Sequence, residues 1–489
     1  MTNFDNTYSK LPDIFFNRIN PVAVKKPSLI QFNKSLAKKI GLNLEKNETL
    51  MSEIFSGNKI LEGSDPIALV YAGHQFGHFV PQLGDGRAIL LGEIINNDGH
   101  RFDMQLKGSG QTCYSRGGDG RAPLGPVIRE YIISEAMHAL NIPTTRSLAI
   151  IATGEMVSRE TLLPGGILTR IASSHLRIGT FEYFAAFKDL ENLKLLTDYA
   201  INRHFPSIKN DGELRYQNFL KLISERQASL IAKWMHIGFI HGVMNTDNAT
   251  ISGETIDYGP CAFMDNYDPN TVFSSIDHHG RYAYGNQPNI GQWNIACLGQ
   301  CLIPLINPEK NKSIEIIEEI LDSFGDMFKK YWLSGMCKKI GLLKNERNNH
   351  ILLDELLHLM EKDKSDFTLT FRYLSDLVGE VNNNSLFKQQ FSSKNEIDCW
   401  LVKWQECLKK ENNGVKEIKN LMLKTNPAFI PRNHQVEKAI YEAINNYDYS
   451  YMDRLVKLLN KPYNFQSDNL EYMKPPDNYD KNYQTFCGT

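Results

Sequence analysis

No stretch of the 489 residues approaches the ~18 consecutive apolar positions of a membrane-spanning helix, so no such helix is expected. The N-terminal run MTNFDNTYSKLPDIFFNRINP lacks a basic segment followed by an apolar one, which argues against a secretory signal. There are eight cysteines but no Cys-x-x-Cys pair. Scattered thiols in a chain this long fit a reducing, cytoplasmic compartment. Charge of one sign is also lacking. The formal balance is −2, which disfavours a protein built mainly to hold nucleic acid. Fixed-period repeats and low-complexity blocks are missing too. What the chain does have is 42% apolar and 22% charged residues, enough for a sizeable core.

The patterning changes along the chain. From about 66 to 110, DPIALVYAG, LGDGRAILLGEI and HRFDMQLKGSG read as strands separated by Gly turns. In the last of them Phe102, Met104 and Leu106 alternate with polar residues, the period of a half-buried strand. LGPVIREYIISEAMHAL has helical spacing and ends before Asn-Ile-Pro. RSLAIIATGEMVSRE and GGILTRIASSHLRIGTFEYF carry further strand signals, and helical patterns dominate from about 190 onward. The expected fold is α+β and bilobal. Residues 1–65 form an N-terminal extension, 66–186 a sheet-rich lobe, and 187–489 a larger helical lobe.

The segment GVMNTDNATISGETIDYGP (242–260) sets Asp247, beside Asn248, ten residues before Asp257. ATISGETI between them, with β-branched ends and Ser-Gly in the middle, predicts a small hairpin. An Asn carbonyl and an Asp carboxylate from its two arms suit Mg²⁺ on a triphosphate, since that ion takes hard oxygen ligands. Each half alone reads more readily as an ordinary polar turn or strand end. Other parts of a nucleotide site lie upstream. Lys107 ends an amphipathic strand, Glu130 on the next helix could pair with it, and LGDGRA is a turn that lets backbone approach phosphate. Strand lysine, helix glutamate, Asn and Asp-x-Gly, in that order, form the phosphotransfer constellation of protein kinases. The kinase loop runs His-x-Asp with that Asp as base, whereas here it reads His241-Gly242-Val243. Valine cannot take a proton; the nearest carboxylate is Asp247.

Over long stretches the chain resembles the selenoprotein O family, kinase-fold enzymes that transfer AMP. The matching stretches are YAGHQFGHFVPQLGDGRA, QLKGSGQTCYSRGGDGRAPLG, IREYIISEAMHALNIPTTRSLAI, HGVMNTDN with IDYGP, DHHGRYAYGNQP, NPAFIPRNHQVEKAI and the ending KPPDNYDKNYQTFCGT. The resemblance implies a protein-kinase-like fold and adenylylation of Ser, Thr or Tyr hydroxyls on protein substrates by a cytoplasmic monomer, with ATP bound in reverse. It places Gly84, Gly86 and Arg87 in the nucleotide turn and Lys107 on phosphate with Glu130 as its partner. Asp119 and Gly120 line the ATP site, and Arg170 and Arg177 hold the far phosphates. Asn248 and Asp257 carry Mg²⁺, or alternatively Mn²⁺, and Asp247 accepts the proton. A phosphotransferase and an ATP-binding scaffold remain the alternative readings.

Other candidates are weaker. His74 and His78 stand four apart, but Gly73 and Gly77 break any helix between them. Cys297 and Cys301 fit core packing, and the adjacent His278 and His279 cannot share one ligand face. The stretch 310–460 shows nothing catalytic. Cys487, near the end, is a redox candidate by the same resemblance, in which some relatives pair it with a cysteine after Asp-Tyr-Gly. Here the only thiol of that segment is Cys261, and Phe273 stands where the partner is expected.

Overall fold

The computed structural model describes residues 2–42, 44, 47–344, 349–379, 385–477 and 483–485. Seven strands make the main sheet: β1 (Phe16–Arg18), β2 (Ser28–Phe32), β3 (Ile67–Leu69), β4 (Ala88–Ile95), β5 (Arg101–Lys107), β6 (Arg146–Ser158) and β7 (Leu162–Ala172). Their order is β1-β3-β4-β5-β7-β6-β2, every pair antiparallel, with the short Ala122–Pro123 strand added against β7. The segment expected as an extension therefore supplies both edges of the sheet.

Helix α1 (Leu124–Ala139) crosses one face of the sheet. After β7 come α2 (Ile178–Ala186), α3 (Arg215–His236), α4 (Gln287–Ile306) and α5 (Lys310–Lys339). The strand reading of GGILTRIASSHLRIGTFEYF holds only as far as Ala172. From Ile178 the chain is helical, because Ile178, Phe181 and Phe184 fall three apart and bury one face. The last three of these helices, α3, α4 and α5, pack on one another in the helical lobe. The helices Asn433–Asn445 and Ser450–Leu459 return to the sheet-rich lobe. There they join Val127, Ile128 and Ile132 of α1 in a second apolar cluster. Among the described residues no helix is long and apolar enough to cross a membrane.

The alternation of β5 hides a feature. Met104 and Leu106 are fully buried, as expected, but so are Asp103, Gln105 and Lys107 on the other face. A strand can bury polar residues only when partners satisfy them. Asp103 takes Arg203 and His175, and Lys107 takes Glu130. The polar face of β5 is the inner wall of the site.

Candidate active site

Strand register gathers the cations. Lys107, at the end of β5, lies opposite Leu168 of β7, and Arg170 lies opposite Gln105, so both side chains occupy the same face two positions apart. Glu130 on α1 meets them both. Its Oε2 is 2.7 Å from Lys107 Nζ and its Oε1 2.5 Å from Arg170 Nε. Burial pushes Glu130 up, but Arg170 and then Lys107 reverse this and leave its carboxyl below the ordinary range. Burial and the neighbouring Arg170 depress Lys107, and the charge of Arg87 adds to that. Gly108 N–H donates to the Arg87 carbonyl at 2.7 Å, which sets Arg87 beside the end of β5.

Asp257 closes the cluster. Arg170 Nη2 lies 2.5 Å from its Oδ1, Arg177 Nη1 2.6 Å from its Oδ2, and Lys107 Nζ 3.8 Å away. Burial raises this carboxyl, but Arg170, Arg177 and Lys107 together hold it well below the usual range. Its backbone has φ 58°, in the left-handed region that non-glycine residues enter at a cost. Arg170 and Arg177 are both almost wholly inaccessible, 2% and 3% exposed, so neither is a surface charge.

Arg177 joins the two aspartates, since its Nη1 also donates to the Asp247 carbonyl at 2.7 Å. The Asp247 side chain is buried, and its Oδ1 has no hydrogen-bond partner among the described residues. Burial raises its pKa to about 6 against the opposing charge of Arg177. Asn248 Nδ2 donates to the Val243 carbonyl at 3.3 Å, which leaves the amide oxygen as the group to offer a ligand. Val243 is buried, and His241 binds the Ile256 carbonyl through Nε2.

The predicted hairpin between Asp247 and Asp257 does not form as such. A turn occurs at Thr250–Gly253, where Thr250 Oγ1 donates to the Glu254 carbonyl, but the two arms pair elsewhere. The first runs beside 176–178 and the second beside 143–145. The half-buried Glu254 carboxylate, bonded to Ser173 N–H and Oγ–H, anchors the tip sideways. The true antiparallel pair is Phe239–Ile240 with Ala262–Phe263, which brackets the whole loop. Arg177 still bridges the two arms, since its Nη1 reaches both the Asp247 carbonyl and the Asp257 carboxylate.

The upstream residues divide. Gly84, at φ 85°, sits where a Cβ would strike the Tyr114 ring at 2.5 Å, and Gly86 N donates to the Gly84 carbonyl. Gly120 packs on Gly110, with room for no side chain. Asp119 is not brought into the cation cluster: it is exposed and pairs with Arg159 at 2.9 Å. Sequence reading missed Asp85, in the Gly-rich turn itself. This buried carboxylate accepts from Leu69 N–H and Gln105 Nε2, and its Oδ1 is 3.8 Å from Arg177 Nη2. Tyr71 was missed as well; its ring lies 4.7 Å from the Arg177 guanidinium. The signal for Asp85 was only that a carboxylate stands between two turn glycines.

His74 and Cys297, dismissed as separate weak candidates, meet in space with Glu182, their nearest ligand-type atoms within 4.8 Å. His74 Nδ1 is 2.6 Å from Glu182 Oε1, a hydrogen-bond length. Phe273 has its own partner: its ring packs edge-on against Tyr483 at 5.8 Å, and its carbonyl accepts from Thr485 N–H at 2.8 Å. Thr485 Oγ1 also donates to the Pro260 carbonyl. The tail thus docks on the segment that follows Asp-Tyr-Gly without a thiol at 273; Cys487 lies outside the described residues.

A family model described as protein adenylyltransferase SelO matches residues 1–460. The protein nucleotidyltransferase YdiU of Maridesulfovibrio salexigens is 54% identical over 486 residues, covering 99% of this chain and 98% of that protein. The YdiU of Rhizobium rhizogenes is 53% identical, covering 99% and 97%. That of Clostridium perfringens is 53% identical over 488 residues, covering 100% and 98%.

Proposed function

The chain belongs to the protein adenylyltransferase SelO family and is a nucleotidyltransferase; from that premise we propose that it moves AMP from ATP onto Ser, Thr or Tyr hydroxyls of proteins, with the ATP held in reverse. The observation that carries this reading is the convergence of Lys107, Arg170 and Arg177 on Asp257 in the buried part of the site. The distal phosphates hold the densest negative charge of ATP. Two guanidinium forks and an ammonium suit them, since arginine binds phosphate oxygens bidentately. That pose turns the α-phosphate toward the acceptor.

Asn248 and Asp257 offer the hard oxygen donors that Mg²⁺ or Mn²⁺ takes, and the ion, when bound, supplies charge neutralisation at the phosphates. Asp247 accepts the hydroxyl proton. The hydroxyl oxygen forms a bond to the α-phosphorus, the bond from that phosphorus to the bridging oxygen breaks, and pyrophosphate leaves with its charge held by Lys107, Arg170 and Arg177. Val243 stands where an ordinary kinase carries its base, which weighs against phosphoryl transfer.

The deciding experiment uses ATP labelled at either the α- or the γ-phosphate, with Mg²⁺ and a protein substrate. Label on protein from the α-position alone supports the proposal. Label from the γ-position alone makes the enzyme a kinase.

A further inference from the structure

We infer that Glu182 and Thr246 are a positioning pair for the catalytic turn, an inference that rests on the roles proposed for Asp247 and Asn248. Thr246 opens the single helical turn Thr246–Asn248, so whatever fixes Thr246 fixes the two residues after it. Its buried hydroxyl donates to Glu182 Oε2 at 2.5 Å and accepts from the His74 backbone N–H at 2.7 Å. The other Glu182 oxygen lies 2.6 Å from His74 Nδ1. The carboxylate therefore ties three pieces of chain together: α2, the catalytic turn, and the small hairpin formed by Gly73–Gln75 and His78–Val80.

The grip extends beyond this pair. Asn245 Oδ1 accepts from Phe76 N–H at 3.0 Å and from Tyr282 O–H at 2.6 Å. Gly73 lies so close to Asp247 that a Cβ there would meet its Oδ1 at 2.6 Å. The hairpin thus presses on the catalytic carboxylate from one side while Glu182 holds its neighbour from the other. A carboxylate inside an apolar lobe is unfavourable unless its oxygens are used, and an apolar side chain would fill the same volume at less cost. Both oxygens of Glu182 are used on the elements that set the turn. Glu182 also lies on the helix that Arg177 caps, five residues further on, so α2 and its N-cap together place the arginine between the two aspartates and the acid that fixes the turn.

The polar atoms of both side chains are engaged by protein groups, so loss should appear in turnover and not in nucleotide binding. The test compares Thr246→Val, Thr246→Ser and Glu182→Gln, with Asp247→Ala alongside, by kcat, KM for ATP, ATP affinity by calorimetry and Tm. Thr246→Val keeps the shape and loses the hydroxyl; kcat is expected to fall about 10-fold or more with ATP affinity retained. Thr246→Ser restores most of that loss, a rescue that a mere packing role would not give because serine lacks the methyl group. Glu182→Gln combined with Thr246→Val costs less than the product of the single losses, since both remove one interaction. Wild-type kcat in folded Thr246→Val and Glu182→Gln, with Asp247→Ala inactive, overturns the positioning role and leaves the proposed function standing. Full kcat in Asp247→Ala overturns the proposed function itself. Should Glu182→Gln fail to fold, the Thr246→Val and Thr246→Ser contrast decides alone.

Discussion

Arg177 Nη1 lies 2.6 Å from Asp257 Oδ2, while Arg170 takes the other carboxylate oxygen at 2.5 Å. The carboxylate proposed to hold the metal is therefore already held by two guanidinium groups. A triphosphate placed among these arginines would draw them off, so that nucleotide binding and metal binding favour each other.

Metal alone should accordingly bind weakly to the wild-type protein. In Arg177→Gln, which frees Oδ2, the affinity for Mn²⁺ without nucleotide is expected to rise about 10-fold, the worth of one charge-assisted hydrogen bond. Calorimetric titration with Mn²⁺ measures it. Equal affinities in the two proteins would mean that Asp257 is not the ligand these arginines guard.

Removal of Arg177 should also separate ATP from AMP. Arg177→Ala is expected to weaken ATP by ~1.5–3 kcal/mol and AMP by much less, because AMP lacks the distal phosphates. Both affinities come from the same titrations. A similar loss for the two nucleotides would contradict the reversed pose.

The two aspartates should fail differently. Asp257→Ala abolishes transfer and removes the Mg²⁺-dependent part of ATP binding. ATP binding without metal should survive, since the arginines and Lys107 lose a competitor for phosphate. Asp247→Ala spares binding and lowers the rate by ~10²-fold or more, as for a general base. Parallel losses of binding would refute the division of roles.

Far from the site, Lys339 is 1% exposed, its ammonium 4.5 Å from the Phe371 ring centroid and 5.4 Å from that of Phe367. Burial lowers its pKa to about 7, from 10.5. Between those values the unfolded chain binds a proton that the folded chain does not, so this residue makes stability rise with pH across that window. Lys339→Met should flatten that rise and stabilise the protein at pH 6.5 by on the order of 1–3 kcal/mol. The aromatic faces offset part of the burial cost and keep the gain below the full amount. Thermal melts at pH 6.5 and 9 test it; a stability difference that stays constant between the two would remove Lys339 as the cause.

Much of the site was legible because its members carry local signals. Lys107 ends an alternating strand, Glu130 lies on a helix of clear period, and Asp257 opens Asp-Tyr-Gly. Asp85 and the Glu182–Thr246 pair were not legible, since a buried hydrogen bond between residues 64 apart leaves no periodic trace. The hairpin between Asn248 and Asp257 was misread for a related reason. Local β propensity favoured pairing within the segment, but Glu254 and the neighbouring chain offered better partners.

By itself the sequence determined the two-part organisation, the strands from β3 to β7 and helix α1, because each depends on spacing within a few turns of chain. Tertiary structure decided which residues share a carboxylate. Whether Arg170 and Arg177 face solvent or Asp257 depends on the register of β7 against β5 and on where α2 begins. It also decided that the polar face of β5 is buried, and that residues before 66 close both edges of the sheet. Such outcomes rest on contacts between segments far apart in the chain, and burial then multiplies the strength of every charge they bring together.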